Sequence, residues 1–138
     1  MSWDAVILRI RGPLRPAAKV PESDYRPLGS LKSVAAAIRS AFPSVVWEEK
    51  TRAHASLDEY TAIEFDFHKR NGYSFLLVSV RGSRDPVPPL LELATANDWV
   101  VLDVQNSEFI DPAKPSRAGW RGYRSLVDDI GRGKSGEE

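Results

Sequence analysis

From Asp4 to Ile10 the chain alternates, with Val6, Leu8 and Ile10 on one face and Ala5, Ile7 and Arg9 on the other, a period of two that predicts a strand. Both faces are largely apolar, so the strand is expected inside a sheet. Helical spacing follows a good N-cap at Ser30: Leu31, Val34, Ala35, Ile38 and Phe42 form one apolar stripe, which Pro43 ends. Residues 44–48 predict a short strand around Val45, Val46 and Trp47, and residues 50–60 fit either a loop or a ragged edge strand carrying His54. Alternation returns over Thr61–His68 and Tyr73–Arg81, joined by Asn71-Gly72, the dipeptide of a type I′ hairpin turn. Pairing Arg70 with Tyr73 sets Phe67 opposite Leu76, Phe65 opposite Val78 and Ile63 opposite Val80 as the core face. The other face then carries Glu64, Asp66 and His68 opposite Ser79, Leu77 and Phe75.

Asp85 is the expected N-cap of a second helix, with Pro86 at its first position and Val87, Leu90, Leu91 and Ala94 as its stripe. Asn97 and Asp98 stop it. Trp99 to Val104 predicts a strand with Val100, Leu102 and Val104 inward and Asp103 outward, and residues 108–111 a short return segment. Beyond Pro112 and Pro115, the positions Trp120, Tyr123, Leu126 or Val127, and Ile130 predict a C-terminal docking helix. Between the first strand and the first helix lies an irregular arm, residues 11–29, with Pro13, Pro16, Pro21 and Pro27. A loop of that length is often a binding element, and the alternative is an ordered cover packed by Leu14, Val20, Tyr25 and Leu28.

These elements predict an α+β fold, an antiparallel-rich sheet with two helices on one face and a C-terminal helix. The order βαβ(β)βαβ is close to the split βαβ arrangement of ferredoxin-like folds. The expected organisation is a single globular domain over residues 1–131 and a disordered tail over 132–138. The 138 residues suffice for one core, and 42% hydrophobic with 28% charged residues is ordinary for a globular chain.

The residues Ser2-Trp3-Asp4, Pro27-Leu28-Gly29-Ser30, Phe42-Pro43 with Trp47, Ile63-Glu64-Phe65, Arg81-Gly82 with Asp85, and Trp99 with Leu102-Asp103 and Glu108-Phe109-Ile110-Asp111 form a set. In that order they resemble a family of small uncharacterised bacterial proteins of unknown function, over about Ser2 to Trp120. The resemblance implies no catalytic or binding residue, because no activity is established for that family. Around residues 50–60 the sequence departs from the pattern, which would place a glycine-rich turn there.

Charge and cysteine usage narrow the function classes. Nineteen basic and nineteen acidic residues cancel, which removes the global field that would gather a nucleic acid. With no cysteine, disulfides, thiolate metal sites and a cysteine nucleophile drop out. No secretory leader pattern opens the sequence, and no apolar run reaches the length of a membrane span, so the expected setting is the cytoplasm, away from membranes. Arginine outnumbers lysine, and alanine and proline are frequent, a composition that fits a GC-rich bacterial source.

One cluster could hold chemistry: strand alternation puts Glu64, Asp66 and His68 on one face, and carboxylate and imidazole suit divalent metals or acid-base work. A solvated hairpin face explains the same residues, since successive outward side chains stand about 6.6 Å apart and diverge along a twisted strand. The turn Gly82-Ser83-Arg84-Asp85 before a helix could seat an anion, but Asp85 fills that position with its own carboxylate. Two arginine clusters, Arg9, Arg11 and Arg15, and Arg117, Arg121 and Arg124, lack any nucleic-acid-binding signature around them. Tyr73, Phe75 and Leu77 share the outer hairpin face with charged residues and form a candidate partner surface, unless the arm or the C-terminal helix covers them. The leading expectation is a non-enzymatic protein-interaction module of bacterial type, an accessory or immunity-like partner of another protein, with no catalytic residue and no cofactor. The alternative is a metal-dependent hydrolase or other enzyme using Glu64, Asp66 and His68, with Asp103 as a further candidate; nucleic-acid binding is the weaker third.

Overall fold

The structure, a computed structural model, describes residues 1–131. The tail expected over residues 132–138 lies outside them. Strand β1 (Trp3–Ile10) is followed by the arm, which contains two 3-10 turns at Ala17–Lys19 and Glu22–Asp24 and a two-residue strand, β2 (Tyr25–Arg26). Helix α1 (Leu31–Ala41) leads to β3 (Val46–Glu49), β4 (Arg52–Asp58), β5 (Thr61–Arg70) and β6 (Tyr73–Arg81). Helix α2 (Val87–Ala96), β7 (Val100–Asp103), β8 (Glu108–Phe109) and α3 (Ala118–Gly131) complete the described residues.

The fold is α+β: an eight-stranded sheet in the order β3-β4-β5-β6-β1-β7-β8, with β2 added to the end of β1. Every pairing is antiparallel. The central place of β1 follows from its composition, since a strand flanked on both edges and carrying Trp3, Ala5 and Ile7 on one face and Val6 and Leu8 on the other has no polar side to offer water.

All three helices contribute to the core on a single face of the sheet. Val34 and Ile38 of α1, Leu90, Leu93 and Ala94 of α2, and Trp120 and Tyr123 of α3 join one cluster with Trp3, Ala5 and Ile7 of β1 and the inward rows of β5 and β6. Ser30 caps α1 by accepting a hydrogen bond from Ser33 N at 3.1 Å. Helix α2 starts one residue later than the sequence predicts: Pro86 occupies the cap position, and Asp85 Oδ1 accepts from Val87 N at 2.9 Å. The segment at 50–60 is an interior strand, β4, whose inward residues Ala53 and Ala55 are too small to give a strong apolar signal.

The β5–β6 hairpin has the expected register, Arg70 with Tyr73 through Ile63 with Val80. Its turn differs from the type I′ expectation. Gly72 has φ +83°, whereas Asn71 does not enter the positive-φ region. The two-residue connection therefore needs a left-handed residue only at its second position, as a type II turn does. No atom lies within 4 Å of where a Gly72 Cβ would stand, so the constraint is conformational and not steric. Gly72→Val should lower stability by about 1–3 kcal/mol, because a β-branched residue tolerates that φ poorly. Chemical denaturation checks it, and an unchanged midpoint would refute the requirement for a left-handed residue.

The arm is ordered by the sheet. Leu28 is buried, its N–H donates to Ser74 Oγ at 2.8 Å and its carbonyl accepts from Trp99 Nε1 at 3.2 Å. Val20 is buried as well, Tyr25 is half-buried, and Leu14 is exposed. The expected cover is therefore real at Val20 and Leu28 and open at Leu14.

Candidate functional site: the second face of the sheet

With the helices on one side, the opposite face of the sheet is built by alternation alone. Register aligns Arg52, Asp66, Leu77, Val6, Leu102 and Phe109 in one row across β4, β5, β6, β1, β7 and β8. The row changes character along its length, charged over β4 and β5 and apolar from β6 to β8. Leu77 is 36% exposed and Val104, just past β7, is 43% exposed. The two stand on either side of β1, and an apolar face partly open to water is what contact surfaces present.

The face runs opposite to expectation on β7. Val101 and Asp103 point into the core, and Val100, Leu102 and Val104 point to the second face, so the predicted inward set is the outward one. Asp103 is 3% exposed. Its burial is tolerated because backbone N–H groups surround it: Gln105 N donates to Oδ1 at 3.0 Å, and the amides of Asn106 and Gly119 also favour the charged form. The Trp3 indole N–H lies close enough to act in the same sense, although it does not meet hydrogen-bond geometry. Asp103 therefore joins the sheet to the start of α3 and lies on the face opposite Glu64, Asp66 and His68.

Burial still dominates at Asp103 and pushes its carboxyl above the ordinary carboxylate value. A carboxyl raised in the folded state binds its proton more tightly there than in the unfolded chain. Its contribution to stability is fully present below the unfolded pKa and is lost as pH rises through the folded pKa. Asp103→Asn should therefore flatten the decline in stability across that acidic window relative to the native protein. Thermal melts of both proteins across it check this, and parallel curves would show that Asp103 is not the titrating group.

On the charged half of the face, Glu64, Asp66 and His68 do not converge as a three-ligand set. His68 Nε2 is 3.3 Å from Asp66 Oδ2, Arg52 is 3.7 Å from the same oxygen, and Arg81 is 3.9 Å from Glu64. Among the described residues no group of three His, Cys, Asp or Glu side chains is placed to hold a metal ion. The carboxylates instead sit in cross-strand ion pairs, the usual dressing of an exposed hairpin face. His54 belongs to this lattice through Glu48, at 2.6 Å.

The three residues of the predicted partner surface have different surroundings. Tyr73 packs against Tyr25 of the arm, ring centroids 5.3 Å apart. Phe75 stacks on His68 at 5.2 Å and 15°. Leu77 is the exposed member. The arm thus covers the Tyr73 end and leaves the Leu77 end open. Four of the six clustered arginines are held within the chain: Arg9 donates to the Pro27 and Asn97 carbonyls, Arg15 pairs with Asp24, Arg117 with Asp85 and Arg124 with Asp128. At the Gly82–Asp85 turn, the N–H groups of Ser83 and Arg84 donate to Thr61 Oγ1, at 3.1 and 2.9 Å, so they do not face an open anion site.

Sequence reasoning missed a cleft of about 530 Å³ beside this face, where Leu14–Ala18 of the arm meet Asn106–Phe109 and Asp111. Phe109 ends the apolar row and also lines the cleft. The arm's length and its four prolines were the available signal, since they mark an irregular connection of the kind that often lines a binding site.

Fold and site together define a protein of the α+β class, with its helices on one face of an antiparallel sheet and a half-apolar second face. No protein-family model matches the chain, and no curated protein or solved structure matches it.

Proposed function

We propose that the protein is a non-enzymatic interaction module that binds another protein through the second face of its sheet, around Tyr73, Phe75 and Leu77. The observation that carries this reading is the apolar row from Leu77 through Val6 and Leu102 to Phe109, with Leu77 and Val104 open to water. Apolar residues at the centre of a contact, bordered by ion-paired residues, match the core-and-rim anatomy of protein interfaces. No helix of the described residues is long and apolar enough to cross a membrane. The composition fits a bacterial cytoplasm, where such a module would act as an accessory or immunity-like partner.

A photo-cross-linking amino acid placed at Leu77 in the native host tests the reading. One defined protein adduct is expected there and none from the same group at Lys32, which is exposed on α1. Equal adducts at both positions, or none at Leu77, would exclude this face as the contact.

A further inference from the structure

The two margins of the apolar row differ in charge. On the β4–β5 side Asp66 has Arg52 and Glu64 has Arg81 as a cation across the ladder. On the β8 side, Glu108 and Asp111 line the cleft, and among the described residues neither is in an ion pair. Asp111 Oδ1 accepts only from Ala113 N, at 2.9 Å. The one cation of the lining, Arg15, is held 2.6 Å from Asp24 and also donates to the Pro13 carbonyl at 2.7 Å. The cleft therefore presents apolar walls, from Leu14, Ala17, Ala18 and Phe109, beneath a negative margin that the chain itself does not neutralise.

We infer that the cleft receives a basic segment of the partner protein, a lysine or arginine flanked by apolar side chains, continuous with the contact on the sheet face. This rests on the interaction reading above and adds the chemistry of the partner to it. Three features favour this occupant. Phe109 belongs to both the row and the cleft, so a segment lying along the row leads into the cleft. A cation with an aliphatic stem buries the stem on the apolar walls while its charge stays at the acidic margin. An acidic segment would bring like charges together at Glu108 and Asp111, which selects against it. A second copy of this chain fits less well, because it would set its own Glu108 and Asp111 against the basic position required.

The test uses the whole protein labelled for amide chemical shifts, titrated with two capped peptides, Leu-Lys-Leu-Lys-Leu and Leu-Glu-Leu-Glu-Leu. The lysine peptide is expected to shift Ala17, Ala18 and residues 106–109 saturably, and to bind at least about tenfold more tightly than the glutamate peptide. Raising the salt should weaken it. The variant Glu108→Gln with Asp111→Asn keeps the shape and the Asp111 acceptor, and should erase the preference. Equal binding of the two peptides, shifts elsewhere, no binding, or a preference that survives in the neutral variant would each overturn the inference. If the Leu77 cross-link persists while the peptide experiment fails, the sheet-face contact stands and its basic chemistry falls. If the cross-link also fails, both fall.

Discussion

Replacing Gly119 with valine is expected to cost about 3 kcal/mol of stability, at the upper end of what overpacking does to a core. Gly119 lies in the first turn of α3, and a Cβ built on it would overlap the carboxylate of Asp103. That carboxylate is fixed on β7 and cannot swing aside, because the amides around it hold it and the core closes behind it. The clash must therefore be relieved by lifting the start of α3. Lifting α3 disturbs the edge-to-face contact of Trp120 with Trp3, whose rings stand 6.1 Å apart at 85°, and the burial of Tyr123. A fall in melting temperature of about 10 °C should follow. Shortening the obstacle supplies the control: Asp103→Ala in the Gly119→Val background should recover part of the loss, although Asp103→Ala alone destabilises. Strict additivity of the two changes would show that the side chains do not meet.

The second large effect is on binding. Changing Phe75 and Leu77 to serine should weaken capture of the cross-linked partner by at least about a hundredfold, roughly 3 kcal/mol, because apolar and aromatic anchors at the centre of an interface carry most of its energy. The same change should cost the isolated protein only about 1 kcal/mol. Leu77 is 36% exposed and Phe75 is half-buried against the ring of His68, and neither belongs to the core. Were the face covered by the arm or by α3, the pair would instead lose about 2–5 kcal/mol, as core truncations do. Paired melts and partner titrations on one variant separate these outcomes, and a large drop in melting temperature would end the interaction-surface reading.

The hairpin was readable because its register depends on local chemistry: one two-residue turn and two alternating strands allow a single pairing that keeps the apolar residues together. The conformation of Asn71 escaped the same reasoning, since the dipeptide suits more than one turn and the strands decide between them. Strand β7 was misread for a different reason. Its apolar residues occupy both faces, so periodicity gives no direction, and a lone acid in such a strand is expected to face solvent. What makes an inward Asp103 tolerable is chiefly the amides of Asn106 and Gln105 in the turn that follows, with Gly119 at the start of α3 adding to them, and apolar periodicity records neither. Strand β4 was ambiguous because alanine at its inward positions looks like any exposed strand or loop. The cleft was the least legible feature, because it exists only where the arm meets the β7–β8 turn. On the candidate face, the sequence did show that Tyr73, Phe75 and Leu77 lie side by side. It could not show that Val6, Leu102 and Phe109 continue their row, because that depends on strand order.

The central position of β1 also matters for how the molecule is made. Ile7 pairs with Leu76 on one side and Val101 on the other, so the ribosome delivers β1 long before either neighbour. At synthesis rates of about 5–20 residues per second, roughly 5–20 s pass between Ile7 and Val101. Until β6 is made neither long edge of this segment, apolar on both sides, can be paired, and the second edge stays open until β7 follows. The nascent chain therefore has a window of vulnerability to intermolecular strand pairing that the finished fold, with β1 enclosed, does not show. Soluble yield should thus track translation speed and holdase supply more closely than it tracks the melting temperature of the purified protein.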